Sequence, residues 1–178
     1  MLCNRRKVFH TFLCLGAQRK GMVIKMMNLR IDMLINNKIT TIDASAIDIA
    51  NLCIDKKIIE HPDPIYRISI TSELIIVLAE SAAFRNGVKT ASTETVNKYP
   101  NTINAYDWNG NLQWNITDIV GDIKSHMVGG CLYTDDMLEK WCDTWVKGHD
   151  HYCCSDWVGR SYLIDLCDRK VIKVAITK

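Results

Sequence analysis

Apolar and polar residues alternate with period two over most of this chain, the repeat of strands that bury one face. Residues 28–35 alternate up to Asn36-Asn37-Lys38, a turn composition, and residues 39–42 resume the pattern, which predicts two antiparallel strands. Residues 43–57 fit either a helical stripe (Ile47, Ala50, Ile54) or a strand alternation (Ile47, Ile49); the isoleucines and the lack of a closing glycine favour strand. Pro62 and Pro64 end that stretch, since proline fixes φ and extends the residue before it. Residues 65–70 and 73–79 flank Thr71-Ser72, and the second run is apolar enough for a central strand buried on both faces. Residues 81–100 lose all periodicity and read as a long exposed loop.

The clearest unit spans residues 103–116. Ile103, Ala105, Leu112, Trp114 and Ile116 alternate with polar residues around a tip from Asp107 to Asn111, in which Gly110 allows positive φ, so a hairpin is expected. Gly121, Gly129 and Gly130 mark bends beyond it. Residues 134–147 predict the one helix: Thr134 as cap, Asp135 and Asp136 at the positive end, Gly148 at the exit, and Leu138, Trp141, Cys142 and Trp145 on one face. Three strands, at 152–157, 161–166 and 170–176, close the chain.

The 178 residues allow one domain, expected over 26–178. With 48% hydrophobic and 24% charged residues the composition is globular, and no stretch approaches a membrane span. The net charge of +2 hides an asymmetry: residues 1–25 hold six of the 22 basic side chains and no acid, leaving 16 bases against 20 acids in the rest. That mildly acidic body excludes a broad nucleic-acid surface, and the basic leader is expected to be an extension outside the fold. The eight cysteines form no regular framework, so a reducing, cytoplasmic setting is expected.

Residues 106–114, Tyr-Asp-Trp-Asn-Gly-Asn-Leu-Gln-Trp, resemble the blade signature of quinoprotein-type and WD-type β-propeller repeats, in which an Asp ends a strand, the chain turns through Asn-Gly and an aromatic returns. Residues 163–172 resemble it too, with Asp165 matching Asp107 and Ile172 matching Trp114, although Arg169 stands where glycine is expected. The same hairpin is similar to that of a group of small uncharacterised bacterial proteins. The resemblance implies a mainly β fold of antiparallel meander sheets, an incomplete propeller-like stack with one short helix, since a closed ring of at least about four blades needs a longer chain. Its open sheet edges need covering, by the helix, the loop or a partner, and could support oligomers.

Candidate chemistry is sparse. His149, His151 and Cys153 are ligand types zinc prefers, with Cys131 and Cys142 upstream and Cys167 downstream, and this is the one cofactor the residues suggest. The spacing matches no paired Cys-x-x-Cys signature, and on a strand Cys153 and Cys154 face opposite ways. A solvated loop leading into a strand with buried thiols is the alternative. Asp107 and Asp165 read as structural turn residues with Gly110, bonding turn amides. Trp114 and Trp157 read as core; Trp141 and Trp145 pin the helix or, with Trp108, offer an interaction surface. No nucleophile elbow, metalloprotease helix or phosphate loop is present. The expected function is a non-enzymatic module that binds another protein, of the kind that serves as an immunity or antitoxin partner; a zinc protein and a carbohydrate-binding module built on Trp108 are the alternatives.

Overall fold

The computed structural model describes residues 26–47, 51–54, 57–61, 65–79, 103–121, 127–156 and 158–176. The expectations for the leader (1–25), the loop at 81–100, Pro62, Pro64 and Trp157 lie outside these residues. The protein is mainly β, with antiparallel pairing dominant, as the alternation predicts. A six-stranded sheet runs in the order β2 (Lys38–Ile47), β1 (Met26–Ile35), β5 (Ile65–Ile70), β6 (Ile75–Ala79), β7 (Ile103–Tyr106), β8 (Leu112–Asn115). It is not a plain meander, because β1 and β5 pair in parallel. A four-stranded sheet is a plain meander of β9 (Met127–Tyr133), β10 (His151–Asp156), β11 (Arg160–Asp165) and β12 (Lys170–Ile176). The hairpin of β3 (Asn51–Ile54) and β4 (Lys57–Glu60) stands apart.

Three apolar clusters bind these parts into layers. Between the two sheets lie Leu34, Ile76, Leu78, Ile103, Ala105 and Trp114 from one side and Leu132, Tyr152, Cys154, Tyr162 and Ile164 from the other. On the far face of the larger sheet, Leu29, Ile68, Ile75 and Val77 pack against Leu52 and Ile54 of the β3–β4 hairpin. On the far face of the smaller sheet, Cys153 and Leu163 are covered by Leu138, Trp141, Cys142 and Trp145. Strand β6 alternates between the first two clusters and is buried along its whole length, the central strand its sequence predicts. Gly130 is held to glycine by this packing, since a Cβ there would fall 1.9 Å from the Tyr152 hydroxyl.

Two expectations need correction. The helix predicted over 134–147 exists only as α2 (Asp135–Leu138), followed by turns. Its four apolar residues do face the sheet, but Cys142 to Val146 is a run of weak helix formers, and contacts with the sheet outweigh helical bonds there. Thr144 donates to the Ile172 carbonyl, and the Lys173 ammonium sits 4.8 Å from the Trp141 ring centre. The stretch expected to hold only bends contains a second short helix, α1 (Ile116–Val120), which Asn115 and Asp118 close with a reciprocal capping box, and it also holds the start of β9, where Gly129 and Gly130 are strand residues paired with β10.

Candidate metal centre

The site forms where β10 begins and β11 ends. His151 opens β10 and projects from the outer face of the smaller sheet, and His149, in the bend just before the strand, lays its ring beside that of His151. The antiparallel register sets Asp165 directly opposite His151. His149 Nδ1 lies 2.9 Å from Asp165 Oδ2, and His151 Nε2 lies 3.8 Å from the same oxygen. The two imidazoles lie nearly parallel, with centres 6.5 Å apart, and Trp145 meets His151 edge-on at 6.2 Å. One ligand atom each of His149, Asp165 and Cys167 lies within 4.8 Å of the others.

Burial makes this arrangement unusual. His151 is fully enclosed, and neither of its ring nitrogens has a hydrogen-bond partner. Its polar neighbours are the Asp165 carboxylate and the His149 backbone. Such a group costs about 1–3 kcal/mol when it is left unsatisfied. Ser69 and Trp114 each hold one such atom among the described residues; His151 holds two. Burial also lowers the pKa of His151, so the ring is held neutral, the form that ligates metals.

Asp165 is fully buried as well. Burial pushes its carboxyl up, but hydrogen bonds from the Asp168 amide and the His149 ring outweigh it and leave the group below the ordinary carboxylate range. Oδ1 accepts from the Cys167 and Asp168 amides at 3.0 and 3.1 Å, while Oδ2 faces the histidines. Asp165 is therefore the turn residue its position predicts and also the carboxylate of the cluster. Cys167 projects from the exposed turn that follows.

The structure brings His149 and His151 together but sends Cys153 elsewhere. Cys153 shares the outer face, yet it packs with Leu138, Cys142 and Leu163 and is hydrogen-bonded to Tyr133. Cys154 faces the opposite cluster, as strand geometry requires. Asp107 accepts from the Asn109 and Asn111 amides and from the Asn111 and Gln113 side chains, a turn carboxylate with all its capacity used locally. The Trp108 indole donates to the Ser72 carbonyl at 2.9 Å, so this ring is tied to its own sheet. Trp141 and Trp145 are half-buried against the smaller sheet.

Two features escaped sequence reasoning. Asp156 and Gly159 repeat the spacing of Asp107 and Gly110, and Asp156 Oδ1 accepts the Val158 and Arg160 amides as Asp107 Oδ1 accepts those of Asn109 and Asn111. The repeated Asp-Trp-x-Gly pattern could have shown it. Asp32, buried between the sheets, is bonded to Arg67 on β5, Thr41 on β2 and Arg30. No local pattern shows that, because it depends on the parallel β1–β5 pair. Comparison with protein-family models, with curated proteins and with solved structures finds no match to this chain. The roles of these residues therefore rest on geometry and chemistry alone.

Proposed function

We propose that the protein binds one zinc ion through His149, His151, Asp165 and Cys167. The observation that carries this reading is the enclosed His151 ring, unpaired at both nitrogens and facing a carboxylate that already bonds a second imidazole. Two imidazoles, one carboxylate and one thiol form a borderline-soft set suited to zinc, and four protein donors suit a closed, structural ion. Such an ion would fasten the segment before β10 to the turn after β11. It would also turn the Asp165 carboxylate, which already orients His149, into a ligand held by its own turn amides.

A Cys-His-Asp nucleophile is the competing chemistry for the same residues. Burial, together with the carboxylates of Asp165, Asp150 and Glu73, raises the Cys167 thiol above its ordinary pKa, the reverse of what a nucleophile needs. A bound cation removes that objection, because a coordinated thiol is deprotonated outright.

The test uses protein purified without a histidine tag and loaded with zinc or cobalt(II). One tightly held ion per chain is expected, with a cobalt–thiolate absorption band that Cys167→Ser removes and Cys153→Ser leaves. Zinc content at background, or unchanged in His151→Ala, overturns the reading.

A second reading, recognition of another protein by strand addition, is supported by β12. This outermost strand of the meander exposes Val174 and Ile176 at 56% and 75%. It fits a cytoplasmic module, as do the six described cysteines, all of them free. Charging the strand with Val174→Lys and Ile176→Lys should preserve zinc uptake and abolish capture of the partner from the native cell. An identical captured set from wild type and variant sinks this reading.

A further inference from the structure

Cys131 and Cys153 are partners in the β9–β10 ladder. Directly opposed residues of an antiparallel pair point to the same face, with Cα atoms about 4.5–5.5 Å apart, inside the range of about 4.4–6.8 Å that a disulfide spans. Both thiols are free. We propose that Cys131 and Cys153 form a redox-active dithiol site, closed to a cross-strand disulfide by a small disulfide oxidant such as oxidised glutathione.

Three observations assign roles to the two sulfurs. Strand β9 is an edge of its sheet, and Cys131 on it is only partly buried where Cys153 is buried, so an oxidant reaches Cys131 first. Burial raises the Cys131 pKa, the guanidiniums of Arg67 and Arg30 offset part of that rise, and the Asp32 carboxylate adds to it. Cys153 is buried, which suits a resolving sulfur shielded from solvent. Cys154, next in sequence, is excluded because it faces the core between the sheets.

The exchange balances in two steps. The Cys131 thiolate attacks one sulfur of oxidised glutathione, forming a mixed disulfide and expelling one glutathione thiolate. The Cys153 thiolate then attacks the Cys131 sulfur and expels the second glutathione. Two protein thiols are oxidised, one disulfide is reduced to two thiols, and the two protons released by the cysteines pass to the leaving thiolates. Cross-strand Cβ atoms lie about 4.5–5.5 Å apart, whereas a relaxed disulfide holds them near 3.8 Å. The bridge therefore draws β9 and β10 together and is readily reduced again, a property of reversible disulfides.

The site does not depend on the zinc reading, and the test keeps the two apart by using full-length Cys167→Ser protein with chelator present. After oxidised glutathione at pH 8, non-reducing tryptic mapping should link peptide 125–140 to peptide 148–160, and thioredoxin should reverse the link. Cys154→Ser must keep the link; Cys131→Ser and Cys153→Ser must each abolish it while retaining the wild-type circular dichroism spectrum. The rate should rise about tenfold from pH 7 to pH 8 as thiolate forms. Stable glutathione on Cys131, a link through Cys142 or Cys154, or no reaction in folded protein would each overturn the proposal.

Discussion

Two turns at the edges of the two sheets make similar use of an aspartate and differ in what they leave over. In the β7–β8 turn, both Asp107 oxygens are occupied by donors from Asn109, Asn111 and Gln113. In the β11–β12 turn, Asp165 gives one oxygen to turn amides and presents the other to His149 and His151. The buried histidine beside each turn follows the same division. His61 lies 3.4 Å from the Tyr106 hydroxyl and edge-on to its ring, whereas His151 has no hydrogen-bond partner. A carboxylate whose capacity is consumed locally shapes a turn; one with an oxygen to spare, facing an unsatisfied imidazole, can hold a ligand. Gln113 joins the two turns, donating to Asp107 and accepting from Arg169.

The largest effect that separates these regions is expected from acid. Burial lowers His61 to about 4. In the unfolded chain the ring takes a proton below about pH 6.5, and in the folded protein only near pH 4, so stability falls as pH drops through that window. At 1.36 kcal/mol per unit, this one group costs about 3 kcal/mol by pH 4. Urea unfolding of zinc-free wild type and His61→Phe across pH 7 to 4 should show the variant lacking that part of the slope. Equal slopes would mean that His61 is not held neutral. His151 adds to the loss with the same sign in zinc-free protein, since burial lowers its pKa too.

Zinc sharpens the comparison further. Asp165→Asn should weaken zinc binding at least about a hundredfold, equivalent to about 2.7 kcal/mol, whereas Asp107→Asn should leave it unchanged. Chelator competition measures both. Equal losses in the two variants would place the ion away from the β11–β12 turn.

How far the sequence reveals these two regions depends on the range of the interactions that make them. The β7–β8 turn is legible because Asp107, Gly110 and Asn111 bond one another within five residues and the flanking alternation is local. Strands β10, β11 and β12 are legible for the same reason, whereas β9 is not, because Gly129 and Gly130 interrupt its alternation and read as bends. His149 and His151 are legible as a pair of ligand types, although His149 sits in the bend before the strand. Their meeting with Asp165 requires the β10–β11 register, which no local pattern specifies, so Asp165 read only as a turn residue. Residues 134–147 fail differently: Leu138, Trp141, Cys142 and Trp145 do share a buried surface, but a face of that kind can be presented by one helical turn and a string of turns. Periodicity reports which side chains are covered and leaves the backbone between them undetermined wherever tertiary contacts outweigh weak helix propensity.

The smallest effects lie in the left-handed residues of the same two turns, and their signs are opposite. Gly110 has φ +73°, and a Cβ there would lie 3.1 Å from Lys57 Cδ and 3.5 Å from Ile54 and Ile59. Gly110→Ala should therefore destabilise by about 1–2 kcal/mol, from left-handed strain and contact with the β3–β4 hairpin. Arg169, at φ 53°, carries the strain that glycine avoids in the other turn. Arg169→Gly relieves about 1–2 kcal/mol of left-handed strain and loses about 0.4–1 kcal/mol to the freer unfolded chain. It also removes an exposed bond to Gln113, a small loss in solvent. The net should be a gain of about 0.5 kcal/mol in thermal or urea unfolding. Zinc uptake should not change, because Arg169 touches neither histidine nor the Asp165 carboxylate among its described contacts. A destabilised Arg169→Gly would show that the Gln113 link between the turns outweighs backbone strain, and the two turns would then act as one unit.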